Sequence, residues 1–265
     1  MIGWLLLLFF LGASVGSFLN VLVVRTVEGG DWVRGRSRCD HCQNNLSWYD
    51  MVPLLSFLLL RGKSRCCNKP LAMIHPMVEF LMGALFVWWY VMGSVFFQLV
   101  QEPLRTMQAG YWLMIGVVLL VVLVMDLAYG LVPTTPVYAA ILISIVYRLV
   151  ILVFGPLRLI DWWEYHLAAF LSWLFFGFLY KVTKGRGMGM GDVILAPLLG
   201  LILGYPRTIV ALLLAFWLGA IVGVMMVFFK KRTLKQTLPF APFMIFGAFV
   251  SLLWGNDLFG VVFNF

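Results

Sequence analysis

The sequence predicts an all-α polytopic membrane protein with about eight transmembrane helices and a cytoplasmic, cysteine-containing segment between the first two. First, 63% of its 265 residues are hydrophobic and only 11% are charged, against about 45–50% apolar and 25% charged residues in soluble domains. Second, several apolar runs approach or exceed the roughly 20 residues that a helix needs to cross a bilayer. Third, the alternating pattern of barrel strands is absent, and a helix satisfies its own backbone hydrogen bonds in lipid.

The apolar runs divide the chain into three parts. Residues 1–24 are the first transmembrane helix, residues 25–76 a polar segment, and residues 77–265 a transmembrane domain. Because the first run has no basic region before it and no small-residue cleavage site after it, we expect a retained helix and not a signal peptide. The predicted helices cover residues 2–24, 77–99, 111–126, 137–154, 163–182, 192–204, 208–229 and 242–263, of which the sixth is short.

The lysines and arginines predict the orientation of these helices. With eight spans, fifteen of the nineteen basic residues fall on one side, and the positive-inside rule assigns that side to the cytoplasm and both termini to the other. The net charge of +8 then follows from topology, and we expect no nucleic-acid partner. The fifteen are Arg25, Arg34, Arg36, Arg38, Arg61, Lys63, Arg65, Lys69, Lys181, Lys184, Arg186, Lys230, Lys231, Arg232 and Lys235; the other four are Arg105, Arg148, Arg158 and Arg207.

The polar segment contains all four cysteines, Cys39, Cys42, Cys66 and Cys67. Thiols on the reducing side of a membrane are not expected to form disulfides, and the C-x-x-C spacing of the first pair is typical of a zinc knuckle. We therefore expect one structural zinc held by the four thiolates, since tetrahedral zinc takes four ligands. Neighbouring side chains of an extended chain point to opposite faces, so the second pair reaches one metal only in a turn.

Alternatives to this zinc site remain. His41 or water would fill the fourth position if one of the adjacent cysteines cannot reach the metal, or the metal has been lost and the loop is held by packing alone. Between the two cysteine pairs, residues 50–60 are apolar but too few to span a bilayer. They predict a short helix that is either buried or lies on the membrane surface.

Two carboxylates stand at ends of apolar runs. Asp126 ends the third span, and Asp192 follows a run of alternating glycines, Gly187–Gly191. Ionisable residues beside a membrane-spanning segment are costly and point to function, and glycines allow another chain to approach closely. The predicted topology places both aspartates at the cytoplasmic face.

Two carboxylates at one depth predict an aspartic protease site. Like charge and burial keep one carboxyl protonated to polarise the scissile carbonyl, while the other accepts a proton from the attacking water. The pair titrates as a unit, so neither Asp126 nor Asp192 is assigned a fixed role. The alternatives are two unrelated acids that favour their helix ends, or a proton relay in a transporter.

Several motifs in a fixed order resemble the type IV prepilin peptidases, which are bifunctional leader peptidases and N-methyltransferases of the G-x-G-D aspartic protease family. The resemblance covers nearly the whole chain. The motifs are Gly16–Val21 with Arg25, Trp48–Asp50, Val52–Ser56, Leu60–Lys63, Pro76 with Glu79, Asp126 with Pro133, Gly189–Asp192, and Pro239–Phe243.

The resemblance implies that Asp126 and Asp192 are the catalytic pair in a bacterial inner-membrane enzyme. Its substrates would be type IV prepilins or pseudopilins of pilus or type II secretion systems, each with a short basic leader ending in glycine before an apolar helix. Cleavage would occur at the cytoplasmic face, and S-adenosyl-L-methionine would methylate the new N-terminus. No G-x-G-x-x-G fingerprint is present, so no residue is assigned to the methyl donor.

Among the departures from the family pattern, the one that bears on metal binding concerns the second cysteine pair. Ser64 stands where the family has a cysteine, Cys67 matches the other position, and Cys66 is additional. G-x-G-D also occurs in presenilin-like intramembrane proteases, which are the alternative enzyme class; a proton-coupled transporter and a passive assembly scaffold are the non-enzyme alternatives. The long basic cysteine segment favours the prepilin peptidase, because none of the others requires it.

Overall fold

The structure is a computed structural model, and it describes residues 2–28, 37–39, 41–96, 104–229 and 239–263. The described residues form nine α-helices and one short 3-10 helix at Trp48–Met51. The α-helices are α1 (Ile2–Glu28), α2 (Leu55–Leu59), α3 (Ile74–Phe96), α4 (Leu104–Tyr129), α5 (Thr134–Phe154), α6 (Leu159–Thr183), α7 (Met190–Leu203), α8 (Arg207–Phe228) and α9 (Ala241–Phe263).

The helices confirm the predicted fold class. Among the described residues, seven helices are long and apolar enough to cross a membrane, and α7 is a shorter apolar helix at the place of the predicted sixth span. The chain is therefore a multi-pass membrane protein. The basic residues Arg34, Arg36, Lys230, Lys231, Arg232 and Lys235, the end of the predicted second span at 97–99 and the C-terminal Phe265 lie outside the described residues.

The chain divides within α4 into two compact units, Met1–Gln101 with Gln108–Val121, and Glu102–Met107 with Val122–Phe265. In the first unit, α1 packs against α3. A Cβ on Gly12 would lie only 2.6 Å from the backbone oxygen of Met82, so the absent side chain lets the two backbones approach closely. Asn20 adds a hydrogen bond of 3.1 Å from its side-chain amide to the carbonyl of His75.

In the second unit, the short helix α7 is central and packs against α5, α6, α8 and α9. Eleven of its fourteen residues are buried, and at 1.5 Å per residue it is about 21 Å long, less than the roughly 30 Å hydrocarbon core. Its apolar composition therefore reflects burial within protein, whereas the longer helices expose large apolar side chains such as Leu142, Phe178 and Trp217. This explains why the predicted sixth span is shorter than the others.

The predicted assignment of basic residues to loops is wrong at one position, Arg148. Arg148 was counted with the loops opposite the basic side, but it lies within α5 and is buried. Its guanidinium donates hydrogen bonds of 3.0–3.2 Å to the carbonyls of Leu201 and Ile202 and lies 3.4 Å from the ring centroid of Tyr165. It satisfies carbonyls at the C-terminal end of α7 that have no partner within the helix.

Candidate active site and metal centre

Asp126 lies in the last turn of α4 and is buried, with 6% of its surface exposed. Its Oδ2 accepts a hydrogen bond of 3.1 Å from the backbone amide of Ala241, the first residue of α9. The amides of a helix N-terminus have no partner within the helix and carry partial positive charge. The N-terminus of α9 therefore holds the Asp126 carboxyl group in place.

The segment before Ala241 is fixed by aromatic packing. The Phe240 ring packs against Phe216 at a centroid distance of 5.2 Å and against Phe176 at 6.2 Å. These two rings belong to α8 and α6. Phe240 thus anchors the start of α9, and this gives the Pro239–Phe243 motif a physical role: it positions the amide that binds Asp126.

Asp192 is the third residue of α7 and is equally buried. Its Oδ2 accepts a hydrogen bond of 3.2 Å from the amide of Gly189, the residue that precedes the helix. The carboxyl group closes on the start of its own helix, where a negative charge is favoured. Each aspartate therefore receives an amide from a helix N-terminus, one from α7 and one from α9.

Close packing at Gly191 links the two aspartate-bearing elements. A Cβ on Gly191 would lie 2.5 Å from the Cβ of Val132, which follows Asp126 in the loop before α5. A Cβ on Gly189 would instead lie 3.6 Å from Asp192 Oδ2, an ordinary van der Waals distance. Of these two glycines of the G-x-G-D motif, only Gly191 is required by space.

The structure brings Asp126 and Asp192 into the same part of the second unit. Gly191, the neighbour of Asp192, packs against Val132 in the loop that follows Asp126, and both carboxyl groups are buried there. Two carboxylates that share a site repel each other, so a shared proton would be favoured. The pair can then supply both the acid and the base that amide hydrolysis requires.

The four predicted metal ligands also lie together. Their Sγ atoms are all within 4.8 Å of one another, with Cys39 and Cys67 at 3.8 Å and Cys42 and Cys66 at 2.9 Å. For tetrahedral zinc with bonds of about 2.3 Å, geometry requires sulfur atoms roughly 3.8 Å apart. The side-chain contact with Cys42, followed by that with Cys39, raises the pKa of Cys66 to about 12. A metal cation bound by the four sulfur atoms would displace the thiol protons and favour the thiolate form.

Two loops of the same hydrogen-bond pattern carry these cysteines. In the first, the Cys39 amide donates to Asn44 and the Gln43 amide to Cys39; in the second, the Ser64 amide donates to Lys69 and the Asn68 amide to Ser64. Each loop is closed by a bridge between its ends, Arg38 with Asn45 and Lys63 with Pro70. The pattern makes Ser64 the structural equivalent of Cys39 and Cys66 that of His41.

The turn at Cys66 and Cys67 allows both adjacent thiols to reach the cluster, which resolves the difficulty that their adjacency raised. His41 is occupied elsewhere, because its Nε2 lies 2.9 Å from the carbonyl of Pro70 and bridges the two loops. The four cysteines therefore form a complete donor set for a tetrahedral soft metal. The alternative of a histidine ligand is not needed.

The structural roles of three residues were not identified from the sequence. Arg148 stood out as a lone cation in an apolar run, which is a recognised indication of function. Glu79 would be the third residue of the predicted span 77–99, but it is the sixth residue of α3, and its Oε2 accepts a hydrogen bond of 2.8 Å from the amide of Leu54. Ala241 acts through its backbone, for which no side-chain pattern exists.

Comparisons with known proteins find family models that match both parts of the chain. A model of the bacterial peptidase A24 N-terminal domain matches residues 10–92, and a model of the type IV leader peptidase family matches residues 113–224. No solved structure matches the chain.

Three relatives named prepilin leader peptidase/N-methyltransferase illustrate the similarity. The relative from Myxococcus xanthus is 32% identical, over 87% of this chain and 65% of its own length. Those from Stutzerimonas stutzeri and Bacillus subtilis are 28% and 26% identical, over 94% and 95% of this chain and over 90% and 95% of their own lengths.

Proposed function

We propose, since the chain belongs to the type IV leader peptidase family, that it is a membrane aspartic endopeptidase which removes the basic leader from type IV prepilins or pseudopilins and methylates the new N-terminal residue. The observation that carries this proposal is the pair of buried carboxyl groups, Asp126 and Asp192, each bonded to a helix N-terminus. A transporter or scaffold does not need two carboxyl groups that share one site.

Hydrolysis would use the two aspartates as one unit. One carboxyl group, protonated, donates to the scissile carbonyl oxygen, and the other, ionised, takes a proton from the water that attacks the carbonyl carbon. The amides of Ala241 and Gly189 keep the carboxyl groups oriented. When the tetrahedral intermediate collapses, the C–N bond breaks and the leaving amine takes a proton from the pair.

We place this chemistry at the cytoplasmic face of the bacterial inner membrane. The support is the distribution of lysine and arginine, of which fifteen of nineteen fall on one side of an eight-span topology. Moving Arg148 out of the loop census strengthens the asymmetry, because the opposite side then keeps only three. Reporter fusions at Gly35, Gly185 and the C-terminus test the orientation, and a periplasmic signal at Gly35 would refute it.

We assign one structural zinc to Cys39, Cys42, Cys66 and Cys67. The donor set fits: four sulfur atoms within 4.8 Å of one another, in two small loops that the metal would tie together. A bound zinc supplies folding energy and no proteolytic chemistry, since all four positions would be filled by protein. S-adenosyl-L-methionine is proposed as the methyl donor from the family alone.

The test of the function uses the purified full chain in lipid vesicles. The substrate is a synthetic precursor with a short basic leader ending in glycine, followed by phenylalanine and an apolar helix. We expect cleavage after the glycine by mass spectrometry, and one added methyl group when S-adenosyl-L-methionine is present. An intact precursor under these conditions would refute the peptidase, and cleavage of apolar helices without this leader would favour the presenilin-like alternative.

A further inference from the structure

The apolar residues between the two cysteine pairs lie on the surface of the first unit. The residues of the 3-10 helix Trp48–Met51 and of α2 are exposed or half-buried, with Trp48, Leu58 and Leu59 exposed by 76%, 69% and 82%. Leu55, Leu58 and Leu59 share one face of α2, since residues three and four apart are neighbours on a helix. Large exposed apolar surfaces of this kind indicate binding to a partner or a membrane.

A hydrogen bond sets the depth of this surface relative to a membrane helix. The amide of Leu54, which precedes α2, donates to Glu79 Oε2 at 2.8 Å. Glu79 lies five residues beyond the first residue of α3, which is apolar enough to span from Ile74 to Gly93, or about 7.5 Å along that helix. Interfacial helices bury their apolar face by roughly 5–10 Å at the boundary between headgroups and acyl chains.

The backbone at Leu54 is strained to achieve this placement. Leu54 has φ +61° and ψ −44°, and the amide of Leu55 bonds to the carbonyl of Pro53 at 2.6 Å. A three-residue turn with positive φ is rare and strained, and such strain persists only where the surroundings fix the residue. Two hydrogen bonds hold Leu54 in this conformation: its amide donates to Glu79, and its carbonyl accepts from the amide of Leu58.

The charges next to this surface favour a bilayer as its occupant. Arg61, Lys63 and Lys69 follow α2 and are exposed. Basic residues beside an apolar face are attracted to anionic lipid headgroups. They would repel the basic leader of the substrate proposed above, which argues against a docking site for that leader.

We propose that the surface formed by Trp48, Met51, Leu55, Leu58 and Leu59, here called the interfacial patch, inserts into the headgroup boundary of the bilayer beside α3. It anchors the cysteine loops to the membrane surface. Arg65, which is next to Cys66, links the patch to those loops. The Nε of Arg65 donates a hydrogen bond of 2.8 Å to Asp50, and its guanidinium lies 4.9 Å from the ring centroid of Tyr49.

Photo-crosslinking tests the interfacial patch in the full chain. The substitution Leu59→Bpa, where Bpa is the photoreactive p-benzoylphenylalanine, is made in the protein reconstituted into phosphatidylethanolamine and phosphatidylglycerol vesicles. The matched control is Asn44→Bpa, which is exposed in the first cysteine loop and lies outside the patch. After irradiation we expect lipid adducts at position 59 at several times the level at position 44, as measured by mass spectrometry.

Two results would overturn the proposal: lipid adducts no more abundant at position 59 than at position 44, or crosslinks from position 59 to an added precursor or a second copy of the chain in place of lipid. Leu58→Bpa repeats the measurement, so a folding defect at one position does not decide the outcome. Precursor cleavage is assayed on the same samples. Because that assay does not depend on lipid adducts, failure of the anchor and failure of the peptidase are distinguished.

Discussion

The aspartate site of the second unit and the cysteine cluster of the first unit are built in different ways. Asp126 and Asp192 are buried at ends of helices, and each is held by one backbone amide. The cysteines sit in two small loops near the surface, where Cys66 is exposed. The difference teaches that buried helix ends fix a functional atom to one sequence position, whereas a short exposed loop allows a ligand to move along the chain.

The largest effect should come from the carboxyl groups themselves. Asp126→Asn and Asp192→Asn keep the side-chain size but remove the ability to ionise, so each should lower precursor cleavage by about 10²- to 10⁴-fold, which a gel assay registers as no cleavage. Zinc content should be unchanged, since the cysteine cluster belongs to the other unit. Near-normal cleavage by either purified variant would disprove the aspartate pair.

The two glycines of the G-x-G-D motif, Gly189 and Gly191, provide a matched pair of substitutions next to Asp192. Gly191→Ala would place a Cβ 2.5 Å from Val132, and such overpacking costs about 1–3 kcal/mol, which corresponds to roughly a 5- to 150-fold loss of cleavage when it falls on the positioning of Asp192. Alanine is the better helix former, so a loss at this helical position reports crowding and not helix propensity.

Gly189→Ala is the control for that experiment. Its Cβ would lie at an ordinary 3.6 Å from Asp192 Oδ2, so the effect should stay near 0.5 kcal/mol. Cleavage rates of both variants in the same vesicles decide the comparison. Equal losses at the two positions would show that the space next to Val132 is not what requires a glycine.

The difference between buried helix ends and short surface loops also determines how far the sequence predicts each site. The fold class and the order of the helices were predictable, because hydropathy alone decides which segments enter lipid. The sequence predicts that Asp126 and Asp192 lie at one depth, but it does not predict how each is held, because that depends on the packing of Gly191 against Val132 and on the amide of Ala241. Backbone donors leave no mark in residue type, which is why the role of Ala241 appears only in the structure.

The sequence predicts which residues form the cysteine cluster, but not how the positions of the second loop correspond to those of the first. Spacing indicates that Cys39 and Cys42 form one pair of ligands, whereas the adjacency of Cys66 and Cys67 leaves their joint access undecided. The repeated hydrogen-bond pattern shows that Ser64 occupies the position equivalent to Cys39. Cys66 stands one residue before Cys67 in the same turn. Comparisons with known proteins confirm the predicted family, but the catalytic and zinc-binding roles of individual residues stay predictions.

Moving a zinc ligand along its loop tests the tolerance of the first unit. Elemental analysis should find about one zinc per chain in protein prepared without chelator, and well below one in Cys42→Ser and Cys66→Ser, because four ligands are needed. Adding Ser64→Cys to Cys66→Ser should restore the zinc, since position 64 is structurally equivalent to that of Cys39. The 39–67 loop should loosen whenever zinc is lost.

Cleavage in these cysteine variants should fall less than in the aspartate variants, because the zinc supports a loop and does not take part in hydrolysis. Zinc well below one per chain in the unmodified protein would refute the metal site. Zinc that survives Cys66→Ser would show that Ser64 or His41 serves as the fourth ligand. A double variant that stays zinc-free would show that the second loop holds its ligand at position 66 as rigidly as the aspartate site holds its carboxyl groups.

The smallest effect concerns the hydrogen bond that ties α2 to α3. Glu79→Ala leaves the amide of Leu54 without its acceptor, at a cost of about 1 kcal/mol, whereas Glu79→Gln keeps an oxygen that can accept. Hydrogen exchange at the Leu54 amide should therefore speed up by roughly fivefold in the first variant and stay near wild type in the second. Unchanged exchange in Glu79→Ala would show that packing holds this segment too, and would remove the contrast between a unit fixed by burial and a unit fixed by single polar contacts.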